Sequence, residues 1–264
     1  AGLFVIEATA VSAVGRISPG CLGLWDDATQ AALGDKLHRA RHLAPAMPVC
    51  IQIGHAGRKA SSAAPWNGGQ LLDSAHQGWQ PVAPSALSHA VTETPPTELS
   101  QAGLEDIKQA FVKAAERAAA MGIEVVELHG AHGYLLHQFL SPIANKRTDA
   151  YGGNFDNRTR FPLQVFKAVR AAFSGVLGIR LSATDWVDNG WTPEETADFA
   201  ARLKQEGANF VHISTSGVSA QQKIPVGPEF QVPFAKLVKD KAGIPTIAVG
   251  LITEPHQADN IIAR

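Results

Sequence analysis

Six times along this chain a short apolar run is followed by a stretch of helical periodicity, and no other feature restricts the fold as much. The apolar runs lie at residues 3–8, 49–53, 125–128, 177–181, 210–213 and 244–249; the helical stretches lie at 28–43, 103–121, 158–173, 192–206, 233–241 and from 253 onward. Strands separated in this way pair in parallel, because each helical crossover returns the chain to the same end of the sheet. The helix signals are explicit. Leu104, Ile107, Phe111 and Ala118 fall on one face, and Gly122 stands where a left-handed residue ends a helix. Thr192-Pro193-Glu194-Glu195 reads as a capping box with proline at the first helical position. In the first helix Ala31, Leu37 and Leu43 are among the apolar positions.

Parallel strands with helical crossovers make either an open doubly wound sheet or a closed barrel. The turn after the first strand holds no G-x-G-x-x-G, and no Walker sequence is present to cradle phosphates. The unusual residues instead lie on or just after several different strands: Ala8 and Thr9, Gln52 and His55, His129 to Tyr134, Arg180, Ser214 and Gly250. Chemistry contributed by many strand ends is the habit of the (β/α)8 barrel. The expected fold class is therefore α/β, a (β/α)8 TIM barrel with about six of its eight strand-helix units in this chain. No linker divides residues 1–264, so one domain is expected. The Gly-, Pro-, Ser- and His-rich connection at 54–100 has the length of a lid or binding loop.

Composition narrows the partners. A formal charge of −1 on 264 residues, without basic runs, argues against nucleic acid and anionic membrane. No stretch nears the roughly 18 apolar residues of a membrane span, and no signal-peptide pattern opens the chain. Cys21 and Cys50 are too few and too far apart in sequence for a disulfide framework or a CxxC metal site, which suits a reducing, cytoplasmic setting and no metal.

The most informative stretch is residues 125–153. Val125, Val126 and Leu128 read as a buried strand, and His129, His132 and Tyr134 crowd its carboxyl end, where barrels bind ligands. Two imidazoles three residues apart can donate to one acceptor atom, and a phenol beside them can deliver a proton. After them come Asn145, Lys146, Arg147, Asp149, Tyr151, Gly152, Gly153, Asn157, Arg158, Arg160 and Phe161. That spacing resembles the N-x-R-x-D-x-Y-G-G-[SN]-x-[ED]-N-R-x-R-F signature of the Old Yellow Enzyme family, and HGAHGYLLHQFLSP resembles its bacterial branch of xenobiotic reductases and thermostable relatives.

The resemblance implies an FMN-dependent ene-reductase barrel, reduced by NADPH or NADH, acting on a small-molecule activated alkene and forming a homo-oligomer at full length. It spans essentially all 264 residues but covers only the second to seventh units of the family barrel, so the chain is expected to be an internal fragment. By the same resemblance His129 and His132 bind the substrate oxygen and Tyr134 is the proton donor. Ala8, Gln52, Arg180 and Gly250 contact the flavin. Reducing an alkene needs a hydride, which no side chain supplies, so a cofactor is required. The residues after Asn145 are expected to scaffold the loop and the next helix. His55, Arg58 and Lys59 line the rim or shape the lid, two readings that stay open. Cys21 is not placed in the role of the family's flavin-modulating cysteine, which belongs to the absent first strand. Two rivals remain: a dienoyl-CoA reductase-like flavoenzyme with an iron–sulfur segment beyond Arg264, and a barrel that binds a ligand without redox chemistry.

Overall fold

A computed structural model describes residues 2–263. The elements follow in order as β1 (Phe4–Ala10), α1 (Asp27–Leu43), β2 (Val49–Gly54), β3 (Val82–Ala83), β4 (Thr97–Glu98), α2 (Gln101–Ala120), β5 (Val125–Gly130) and α3 (Leu135–Leu140). They continue with α4 (Phe155–Ala172), β6 (Val176–Ser182), α5 (Pro193–Gln205), β7 (Phe210–Ser214), α6 (Val232–Ala242), β8 (Thr246–Ala248) and α7 (Pro255–Ile262). One six-stranded sheet runs β1-β2-β5-β6-β7-β8, with every pairing parallel. Spatial order thus repeats chain order, with no point where the winding reverses. A doubly wound sheet needs such a reversal and a (β/α)8 barrel does not. β1 and β8 are the edges of the arc and do not pair with each other among the described residues.

The two faces of the sheet differ, because side chains alternate along a strand. On one face Ile51, Ile53, Val126, Leu128, Leu177, Ile179, Leu181, Val211 and Ile213 are fully buried in the main core, together with Phe111 of α2, Phe166 of α4 and Phe199 of α5. Each such side chain contributes about 1.5–3 kcal/mol of transfer free energy. The opposite face carries Gln52 beside Glu127, then His129 beside Arg180 beside His212, then Ser182 beside Ser214, all in register on neighbouring strands. A polar inner face is what gives the site its chemistry.

The helices begin where their caps dictate. Asp26 caps α1 with a reciprocal bond from Thr29, Ser100 caps α2, Asn154 caps α4, and Thr192 with Glu195 forms the expected capping box of α5. Such caps contribute about 1 kcal/mol each. Gly122 adopts φ +72°, as its place after α2 requires. Among the described residues no helix is long and apolar enough to cross a membrane.

Several expectations change. Leu33 and Leu37 are the buried residues of α1, while Ala31 and Leu43 are exposed, Leu43 at 90%, because it lies past the last turn that faces the sheet. The helix α3 lies in what reads as a loop. Its six residues are all buried, so the amphipathic stripe that would reveal it is absent. α4 starts three residues before Arg158, at Phe155, and tolerates Pro162 within it. The 54–100 connection is tied down by short 3-10 turns and by the β3·β4 ladder.

The stretch after Asn145 is a scaffold. Arg147 grips Asp149 through two nitrogens at 3.0 and 2.6 Å and donates to the carbonyls of Pro84 and Leu99 at 2.9 and 2.7 Å. Arg158, buried at 6% exposure, joins the Leu140 and Gly153 carbonyls to Glu195. These guanidiniums hold the long connection and α5 against the loop that follows β5.

Candidate active site

β5 delivers His129 as its last inward residue, and the loop that follows bends through left-handed backbone at His132 (φ +58°) and Gly133 (φ +73°). A Cβ at Gly133 would collide with the Gly217 carbonyl, so only glycine fits there. Holding a histidine at positive φ is strain of a kind that concentrates at functional sites. Here it is sustained by the His132 amide, which donates to Ser182 Oγ at 2.9 Å, while that hydroxyl donates to the Ser216 carbonyl at 2.9 Å. Leu135 N donates to His55 O at 2.9 Å, and Gln138 Nε2 donates to the carbonyls of Gly133 and Ala56 at 2.7 and 3.1 Å. The loops after β2 and β5 are therefore stitched together.

The three sequence candidates converge. The His129 ring lies 5.1 Å from that of His132 and 4.8 Å from that of Tyr134, edge to face in both cases. Burial, then the charge of His132 and Arg180, pushes His129 well below the usual imidazole value. Burial, then Arg180, pushes His132 down to about 3. Both rings are neutral at physiological pH. Ala131 N donates to His129 Nδ1 at 3.3 Å, so the ring proton of His129 sits on Nε2. His132 Nε2 lies 2.7 Å from Ser214 Oγ. Burial, then Cys21, pushes the Tyr134 phenol up to about 12, which keeps its proton in place.

Behind the loop, Gly133 N donates to His137 Nδ1 at 2.8 Å, which puts that ring's proton on Nε2, 2.9 Å from Asp185 Oδ1. Ser141 Oγ and Trp191 N each donate to Asp185 Oδ2 at 2.7 Å. Burial alone would push the Asp185 carboxyl up; the His137 imidazole and the bonds from His137, Ser141 and Trp191 outweigh it and hold it below the usual carboxylate value. Removing a buried acceptor leaves its donors unsatisfied at about 1–3 kcal/mol each, so Asp185→Ala should lower the urea midpoint by the equivalent of a few kcal/mol at pH 7. Because the folded value is depressed, this stabilisation is present above the unfolded value of about 3.9 and disappears as pH falls through the folded one. Denaturation at pH 7 and below pH 4 should thus show the gap between wild type and variant shrinking, and an equal gap at both would remove Asp185 from the acid response.

One layer below His129, Gln52 Nε2 donates to Glu127 Oε1 at 2.6 Å, and His212 Nδ1 lies 2.9 Å from Glu127 Oε2. Gln52 is thus paired with the neighbouring strand β5, and its amide oxygen and second N–H remain to meet a ligand. Arg180 is half-buried with Glu127 as its nearby countercharge, and its Nε has no hydrogen-bond partner among the described residues. Cys50 is inert: burial, then Glu127, pushes its thiol up to about 12.

A small, open pocket lies between Ala8, Thr9, Cys21, His55, His129 and Tyr134. Ala8 therefore joins His129 and Tyr134, whereas Gln52, Arg180 and Gly250 are not part of that wall. Gly250, two residues past β8, has φ +119°, and a Cβ there would press on Gln231 N at 3.0 Å. Among the described residues His55 Nε2, Thr215 Oγ1 and Gln231 Oε1 are buried without hydrogen-bond partners near the carboxyl ends of β2, β7 and β8, as are Arg180 Nε and His212 Nε2 on the inner face of β6 and β7. Orphaned polar atoms cost about 1–3 kcal/mol each, and their gathering at the carboxyl half of one sheet fits a large ligand rich in donors and acceptors, as a flavin is. Sequence reasoning left Lys59 undecided and passed over Ser182, His137 and Asp185; only their contacts give them a role.

All of residues 1–264 match the sequence profile of the NADH:flavin oxidoreductase / NADH oxidase family. The chain belongs to that family. It is 39% identical to an NADPH dehydrogenase of Geobacillus sp. (strain WCH70), over 99% of this chain and 72% of that one. Morphinone reductase superposes with a TM-score of 0.77 at 30% identity, over 99% of this chain and 71% of the other. 2-Naphthoyl-CoA reductase, in complex with 2-naphthoyl-CoA, superposes with a TM-score of 0.84 at 26% identity, but this chain spans only 40% of it. The resemblance drawn from residues 145–161 is upheld, and with it the barrel fold, an oxidoreductase activity, FMN as cofactor and NAD(P)H as reductant.

Proposed function

We propose that residues 1–264 belong to a single FMN-binding barrel domain, of which they supply about six of the eight strand-helix units, and that this domain reduces activated C=C bonds of α,β-unsaturated carbonyl or nitro compounds, in the manner of the xenobiotic-reductase branch. The observation that carries this reading is the meeting of two neutral imidazoles and one protonated phenol at the carboxyl end of a barrel sheet. Gln52, Arg180 and Gly250, with Ala8 packed against it, would hold FMN, which when bound and reduced supplies hydride to the β-carbon. His129 donates from Nε2 to the substrate oxygen. His132 joins it when Ser214 donates to its Nε2 and leaves the ring proton on Nδ1. Preorganised neutral donors stabilise the charge that grows on that oxygen without themselves losing a proton. Tyr134 then gives its proton to the α-carbon. A cytoplasmic setting and a homo-oligomeric state belong to the same reading, and the free thiols of Cys21 and Cys50 support the first.

The direct test is the visible spectrum of the purified protein: flavin bands that bleach anaerobically with NADPH and return on adding an enone. Absence of bands would favour the rival without redox chemistry. The likeness to 2-naphthoyl-CoA reductase supports an acyl-CoA reductase as second reading, with lower identity; turnover of an unsaturated acyl-CoA but not of simple enones would select it. Arg180→Leu should weaken FMN binding about 10- to 100-fold, the equivalent of a charge-assisted contact. Titration by quenching of FMN fluorescence checks this, and unchanged affinity would remove Arg180 from the cofactor site.

A further inference from the structure

Lys59, at the end of the short turn Gly57–Lys59 after β2, points its ammonium into the same loop. Nζ donates to the carbonyls of His132 at 3.0 Å and Gly217 at 3.1 Å, and stands 5.1 Å from the centre of the Tyr134 ring. An ammonium has three N–H bonds. Two hold the carbonyls on either side of the site, which leaves the third and the net charge for the aromatic face. We propose that Lys59 is a positioning residue for the proton donor, binding the His132 and Gly217 loops together and stabilising the phenolate that Tyr134 becomes when it gives up its proton. This rests on the reading of Tyr134 as that donor.

In the step concerned the Tyr134 O–H bond breaks, a C–H bond forms at the α-carbon, and the ring is left with one negative charge. Lys59 keeps its protons, and water later restores the phenol. Burial makes that phenolate costly to form, as the raised Tyr134 value records. A cation held against the ring face acts more strongly on an anionic ring than on a neutral one, so it favours the transition state over the ground state. At this separation in partly buried surroundings the effect amounts to about 10- to 100-fold in rate.

The charge on Lys59 is itself conditional. Burial, then Arg58, pushes it down to about 8, against the opposing pull of Glu93. Four of the groups around it keep their state near that pH, and Cys21, which also faces Tyr134, is told apart from Lys59 by the Lys59→Arg variant. Burial holds His89 to about 4, His132 is held to about 3, Tyr134 ionises near 12, and Arg58 stays charged. A group with a lowered value is charged below it, so the enone step should be level up to about pH 8 and fall above it.

The experiment is the pH dependence, from 6 to 10, of the alkene half-reaction of the flavin-loaded protein with a cyclic enone. Wild type should show the limb near pH 8. Lys59→Arg, which keeps a fixed charge, should lack it. Lys59→Met should be slow by about 10-fold or more at all pH values and flat. A wild-type profile with no limb, or the same limb in either variant, overturns the proposal, and the wild-type measurement stands even if a variant does not fold. If Tyr134→Phe leaves the enone step unchanged, the donor assignment itself has failed; if that variant is slow while the limb is missing, only the role of Lys59 has.

Discussion

Tyr134→Phe is expected to slow enone reduction by about 10²–10⁴-fold, the usual contribution of a positioned general acid, while flavin reduction by NADPH proceeds at its normal rate. The ring is retained, so its edge contact with His129 at 4.8 Å and its place under Lys59 survive, and the loss isolates the hydroxyl. Nitroalkenes should be affected much less, because a nitronate persists in water and can be protonated by solvent. Stopped-flow traces of both half-reactions with a paired enone and nitroalkene decide it. Equal slowing of the two substrates would mean that the hydroxyl serves the pocket and not the proton.

His129→Ala or His132→Ala is expected to lower the alkene step by about 10²–10³-fold each and to weaken phenolic ligands, which place an oxygen anion where the substrate oxygen belongs. The two changes should be non-additive, since the rings touch at 5.1 Å and share one acceptor. Because burial keeps both rings neutral, His132 down to about 3, neither should introduce an acid limb between pH 5 and 8. An unchanged alkene step in either variant would remove that histidine from the clamp. A limb near pH 6 in wild type would mean that a charged imidazole, and not a neutral one, does the work.

Much of this was legible in the residues themselves. Local rules place the caps: Thr192 and Glu195 bond each other across one turn wherever that turn sits, and Gly122 takes positive φ because no other residue does so as cheaply. The helix face of Leu104, Ile107 and Phe111 follows from period alone. The cluster His129, His132 and Tyr134 was visible because it is contiguous in sequence, and contiguous residues stay close in any fold.

What tertiary structure decided is whatever depends on partners far away in sequence. Gln52 meets Glu127 75 residues on, and His212 meets the same carboxylate 85 residues further, so the polar inner layer exists only once strands are in register. Lys59 reaches the Gly217 carbonyl across 158 residues, and its dual grip separates a rim lysine from one that ties the His132 and Gly217 loops together beside Tyr134. The charge states were equally out of reach. An imidazole in a sequence carries no desolvation, and only burial among Arg180 and the second ring makes His129 and His132 neutral donors. Sequence alone thus determined the order of elements and which residues could do chemistry. The packed sheet determined which of them touch, and in what protonation state, because both depend on distances that covalent order does not set.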